Sequence, residues 1–115
     1  MGNALASIRV KSEVLREGNE ESRWFCLEEL EGVPGRRDLV LPFIIGALKD
    51  ESNRIRGKAA VTLGKLGADA QAALPALNDA LNDTHSNVRE AAAEALLRLA
   101  AKPEFSPVRS PSKAD

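Results

Sequence analysis

The chain has 115 residues, a net charge of −1 at pH 7, an isoelectric point near 5.9 and 3% aromatic residues. That length suits one domain, the charge offers no basic field to gather DNA or RNA, and the single cysteine, Cys26, excludes an internal disulfide and fits a reducing compartment. No apolar run reaches membrane-spanning length, and Met-Gly-Asn-Ala-Leu-Ala-Ser has its serine one position late for the myristoylation pattern, so a soluble cytoplasmic protein is expected.

The elements predicted in chain order are all helical. A first helix runs from about Ala4 to Arg16, capped by Asn3 and ended by Gly18. Asn19 opens a second helix through Glu31, which Gly32-Val33-Pro34-Gly35 terminates. Asp38 caps a third helix, with Pro42 in its first turn and its end near Asp50. Asn53 caps the fourth, which carries Ile55, Ala59, Leu63 and Leu66 on one face and stops at Gly67. Asp69 to Ala73 is a short helical lead-in, and Pro75 resets the chain for a fifth helix. Ser86 caps the sixth, whose stripe is Val88, Ala92, Leu96 and Leu99, and Pro103 ends it. Residues 103–115 are rich in Pro and Ser without periodicity and read as disordered. They hold Ser106-Pro-Val-Arg109 and Ser110-Pro-Ser-Lys113, which resemble proline-directed kinase sites.

The fifth and sixth helices repeat the third and fourth at an offset of 33 residues, the distance from Leu41-Pro42 to Leu74-Pro75. Positions 41–67 and 74–100 share Leu41, Pro42, Ala47, Leu48, Asp50, Arg56, Ala59, Ala60, Leu63 and Leu66, which is ten identities in 27. Ordinary composition gives roughly two, so chance does not explain the match. One further step back, Leu15 meets Leu48, Glu17 meets Asp50, Arg23 meets Arg56, Cys26 meets Ala59 and Leu30 meets Leu63. This first unit is degenerate, as terminal repeats are. The reading is all-α: an α-α superhelix fragment of three stacked helical hairpins, six main helices, in a right-handed solenoid. A repeat domain over residues 1–102 divides into units of about 4–34, 35–67 and 68–101, the smallest number that stands alone.

The pattern Leu-Pro-x-Leu-x-x-Ala-Leu-x-Asp, a polar turn, then Val-Arg-x-x-Ala-Ala-x-x-Leu resembles HEAT repeats in their short bacterial form, found beside phycobilin lyase-type proteins. The resemblance is strong over 41–67 and 74–100, weaker over 8–34 and absent from 103–115. It implies an interaction scaffold, the family also including a few bilin lyases, a metal hydroxylase and helical-repeat DNA glycosylases.

Asp50 with Arg56 and Asp83 with Arg89 recur in register, each Asp ending the first helix of a unit and each Arg lying one turn into the second. A catalytic pair is needed once and a stacking clamp in every unit, so these four read as a structural ladder, bidentate across the turn or reaching the neighbouring unit. His85 is the only histidine and reads as a solvated turn residue, with no metal site or triad around it. Gly64-Lys65-Leu66-Gly67 ends a helix and is no phosphate loop. Cys26 aligns with Ala59 and Ala92 and reads as an inert core thiol.

Surface carries what remains. With the stripe facing inward, the fourth helix presents Lys58, Val61, Thr62 and Lys65, the sixth Ala91, Glu94, Ala95 and Arg98, and the second Phe25, Glu28, Glu29 and Gly32. In the family the resemblance points to, the second helix of each unit lines the concave face, so these residues form one ridge of changing charge. Trp24 and Phe25 break the pattern, as either an end cap over the first helix or a contact site, with the cap preferred. The expected function is a non-enzymatic module that binds another protein through this ridge. Candidate partner-binding residues are Trp24, Phe25, Glu28, Lys58, Val61, Lys65, Glu94 and Arg98. No cofactor, metal, nucleic acid or membrane is expected, and a monomer is preferred. The alternative is a bilin lyase or a lyase-accessory subunit.

Overall fold

The computed structural model describes residues 10, 13–32 and 37–100, and the Pro/Ser-rich tail and the Asn3 cap lie outside them. Residues 13–17 form α1, followed by α2 (Glu20–Glu31), α3 (Arg37–Ala47), α4 (Asn53–Leu66), a 3-10 segment (Gly67–Ala73), α5 (Leu74–Ala80) and α6 (Ser86–Ala100). There is no strand among the described residues. Each second helix packs on the second helix of the next unit, α2 on α4 and α4 on α6, while α3 and α5 lie against their own partners.

The apolar periodicity places the core. Leu27, Leu30, Ile44, Ile55, Leu63, Leu77, Val88 and Leu99 are buried between the layers, where each removes roughly 1.5–3 kcal/mol worth of apolar surface from water. Cys26 is buried beside them, as its register with Ala59 and Ala92 requires.

Helix ends follow local chemistry with small shifts from the sequence expectation. Asn19 caps α2, its side chain accepting from Ser22 N at 2.8 Å. Ser52, not Asn53, caps α4, its hydroxyl accepting from Ile55 N at 3.4 Å. Ser86 is the first helical residue of α6, and the carbonyl of His85 accepts the first bond of that helix, from Arg89 N. Asn19, Ser52 and His85 therefore occupy one register position in three units. Gly67 closes α4 at φ +68, a conformation that costs a side-chain-bearing residue free energy. Because α3 begins at Arg37, Asp38 lies inside its first turn and Pro42 beyond that turn, where the ring removes one intrahelical bond.

Two interfaces of different kinds join the units. Between α4 and α6 the contact is close and built on small residues: a Cβ on Gly64 would stand 3.1 Å from Ala95 Cα and 3.2 Å from Arg98 Cδ. At Gly57 it would stand 3.3 Å from Asn87 Nδ2. In α2 the same positions hold Trp24 and Glu31, so the α2–α4 contact is filled by side chains instead. Thr62 and Ala95, expected on the exposed ridge, are buried, because the ridge side of each second helix also packs on its neighbour. The Thr62 hydroxyl is left without a hydrogen-bond partner.

Thermal or urea denaturation checks both features. Thr62→Val should raise stability by about 1 kcal/mol by removing an unpaired buried hydroxyl. Gly64→Leu should lower it by roughly 1–3 kcal/mol, because the α4–α6 distance leaves no room for the side chain.

Candidate partner-binding face and the ladder behind it

The turns between paired helices build the charged part of the molecule. Arg23, buried on α2, donates through Nε to Asp50 Oδ2 at 2.8 Å and through Nη2 to Asp50 Oδ1 at 2.9 Å. Arg56 on α4 grips Asp83 the same way at 2.8 and 3.0 Å. The remaining fork nitrogen, Nη1, holds the arginine's own turn: Arg23 to the Gly18 carbonyl at 2.7 Å, Arg56 to Asp50 at 2.8 Å and Arg89 to Asp83 at 2.7 Å. Of the two geometries open to the ladder, the carboxylate bonds thus run between units, and the own-unit Asp offers only its backbone carbonyl. Arg23 joins the ladder as its first member, in the register that aligned it with Arg56.

Each ladder carboxylate also braces its own turn. Asp50 Oδ1 accepts from Ser52 N at 2.9 Å, and Asp83 Oδ1 from His85 N at 3.0 Å. Arg56's hydrogen bonds hold the Asp83 carboxyl below its ordinary value of 3.8, against the opposing effect of burial and with further help from the His85 N–H. The same bonds raise the Arg56 guanidinium above its ordinary value. His85, exposed as expected, is nonetheless part of this cluster, with Nδ1 3.3 Å from Arg56 Nη2. The turn position that hid its role is the N-cap register shared with Ser52.

The ridge residues are divided by the structure. Lys58, expected on the exposed ridge, has a side chain only 10% exposed. Its ammonium lies 4.3 Å from the Trp24 ring centroid and pairs with Glu28 of α2. Lys65 pairs with Glu31 at 3.6 Å, and Arg54 with Glu20 at 3.0 Å while lying 5.5 Å from the Trp24 ring. Lys58's hydrogen bond lowers the Glu28 carboxyl, as Arg54's lowers that of Glu20. The alternating charge of the ridge is therefore a set of cross-helix pairs that staple α2 to α4. Glu94 and Arg98 pair along α6 at 3.4 Å.

Trp24 and Phe25 meet edge to face at 5.2 Å and then part. Trp24 is half-buried under Arg54 and Lys58, and Phe25 turns the other way, 56% exposed, into an open groove with Val10, Val14 and Cys26. Val61 is the exposed apolar residue of α4. It sits where two hollows meet. One, of about 570 Å³, runs from Trp24 past Lys58 to Asn87 and Ala91. The other, of about 90 Å³, reaches Glu94 and Arg98. The candidate residues other than Phe25, Glu28 and Lys65 thus line these two hollows, and those three lie outside them. Among the described residues no cluster of His, Cys, Asp and Glu could hold a metal ion, and no helix is long and apolar enough to cross a membrane.

Helical hairpins stacked through their second helices, with one arginine-to-carboxylate clamp per junction, define an α-solenoid repeat protein. The HEAT repeats family model matches residues 10–97, and the chain belongs to that family. HEAT repeats serve in general as protein-interaction scaffolds, and the family is typically non-enzymatic. No curated protein matches the chain in sequence.

Arg56→Ala should cost about 1–3 kcal/mol, since it strands a carboxylate and frees a turn. Arg89→Ala, which breaks no bond between described units, should stay within about 0.5 kcal/mol. Paired urea titrations read the difference.

Acid titration of stability gives an independent check. Asp83 has a depressed folded value, so between that value and 3.8 the unfolded chain binds more protons and stability rises with pH. Its contribution is complete above the unfolded value and fades as pH falls below about 4. Arg56→Ala should remove that part of the acid slope while leaving stability flat near neutrality. An unchanged acid slope in the variant would detach Asp83 from the clamp.

Proposed function

We propose that this chain is a non-enzymatic interaction module that holds a partner polypeptide in the groove along α4, between Trp24 on α2 and the Ala91–Arg98 face of α6. The observation that carries the reading is Val61, 40% exposed at the junction of the two hollows. An apolar floor with a polar rim is the arrangement in which interfaces concentrate their binding energy. Gly57 and Ala91 keep that floor low, and the Trp24 ring forms one wall. Because Lys58 and Arg54 are engaged by acids of α2, the groove presents little uncompensated charge, so apolar contact rather than long-range steering selects the partner. A bilin-lyase role finds less support, because Cys26, the one thiol in the chain, is buried in the core.

Val61→Asp tests the reading, since the position is exposed and the change leaves the stack intact. Affinity capture from the native host with quantitative mass spectrometry should show the wild-type set of bound polypeptides depleted at least tenfold for this variant, which is about 1.4 kcal/mol. Its melting midpoint should stay where it was. Capture that survives Val61→Asp but is lost on Phe25→Ala would move the working surface to the α1–α2 groove.

A further inference from the structure

Among the described residues the ladder leaves an open fork at one end and an unclaimed carboxylate at the other. Arg89 makes the same Nη1 bond to the carbonyl of its turn aspartate as Arg56 does, and Arg23 bonds its own turn one residue further on, at Gly18, so the Arg89 guanidinium is held in the ladder pose. In those two arginines Nε and Nη2 then grip the carboxylate of the following unit. Among the described residues, Arg89 Nε and Nη2 meet no carboxylate. Glu17 stands in the register of Asp50 and Asp83, is exposed, and pairs with no guanidinium among the described residues.

The surfaces around these two groups match in character. Leu81 and Ala93 occupy the places of Leu48 and Ala60, which the second unit buries, yet both are exposed. Leu97, in the place of Gly64, is 72% exposed. Repeating the α4–α6 contact would bring Leu97 against the counterpart of Ala95 in the first unit, which is Glu29. Glu29 is on the wall of the open groove of about 460 Å³ that Val10, Val14 and Phe25 also line. That groove has room for the side chain that a glycine-tight junction would exclude. Bulk at these positions is also compatible with the clamp, because α2 carries Trp24 and Glu31 there and Arg23 still reaches Asp50 at 2.8 Å.

We propose that two copies of this chain stack head to tail, the Arg89 fork of one gripping the Glu17 carboxylate of the next, with Leu97 entering the Phe25 groove. The contact is heterologous, so it propagates: every assembly keeps one free fork and one free carboxylate at its two ends, and it grows with concentration rather than stopping at a dimer. It is distinct from the α4 groove and does not depend on it.

Sedimentation velocity of the full chain over a concentration series tests this. The wild type should gain mass with concentration. Arg89→Ala and Glu17→Ala should each remain monomeric with unchanged melting midpoints, since neither side chain joins two described units. The decisive sample is their equimolar mixture. It retains one intact fork on one variant and one intact carboxylate on the other, so it should stop at twice the monomer mass. Mass gain that survives Arg89→Ala, or a mixture that stays monomeric, overturns the proposal. So does a wild type that is monomeric throughout, including the case in which truncation after Lys102 releases association and shows the tail in the fork.

Discussion

The stack depends on a guanidinium that serves two masters. In Arg23 and Arg56 the Nε–Nη2 edge belongs to the next unit and Nη1 to the arginine's own turn. The receiving carboxylate is equally divided, between that fork and the N–H opening its own second helix. Turn geometry and stacking are thus one hydrogen-bonded system, and neither can shift by a residue without stranding partly buried charge. Ion pairs of this kind contribute little net stability over an apolar substitute. Their strength is that a wrong register is costly, which is what a stack of similar units requires.

On that common frame the two junctions differ in physical character. The α4–α6 contact is made by Gly57 and Gly64 admitting Asn87 and Ala95, a matter of shape. The α2–α4 contact is made by Trp24 under two cations and by Lys58–Glu28, Lys65–Glu31 and Arg54–Glu20, a matter of charge. The groove around Val61 lies across the change from one to the other, which gives it an aromatic wall on one side and a small-residue wall on the other.

How much of this was legible in the sequence follows from what a 33-residue offset can carry. Recurrence of Leu41-Pro42 and Asp50–Arg56 gave the hairpins, the core stripe and the ladder members, since those depend on spacing within a unit. It did not give the direction of the ladder, because alignment by register pairs Asp50 with Arg56 and the fork instead reaches 27 residues ahead, to Asp83. Thr62 and Lys58 were misread for one reason: helical periodicity identifies a single buried face, whereas the second helix of a middle unit is also covered on its flanks by both neighbours. The role of His85 was hidden because a backbone N–H, which no side-chain pattern reports, ties it to Asp83.

The contrast between the junctions also sets an order of opening. Cross-helix pairs at the rim of α2–α4 are screened by salt within about 10 Å at 0.1 M, whereas glycine-mediated contact is indifferent to ions. A stack that is a sum of nearest-neighbour terms comes apart at its weakest junction first. Amide protons of α4 and α6 therefore belong to one slowly exchanging block, and those of α2 to a segment whose protection falls as ionic strength rises. Since Trp24 lies in the first junction to loosen, its fluorescence reports the detachment of one unit rather than the melting of the whole.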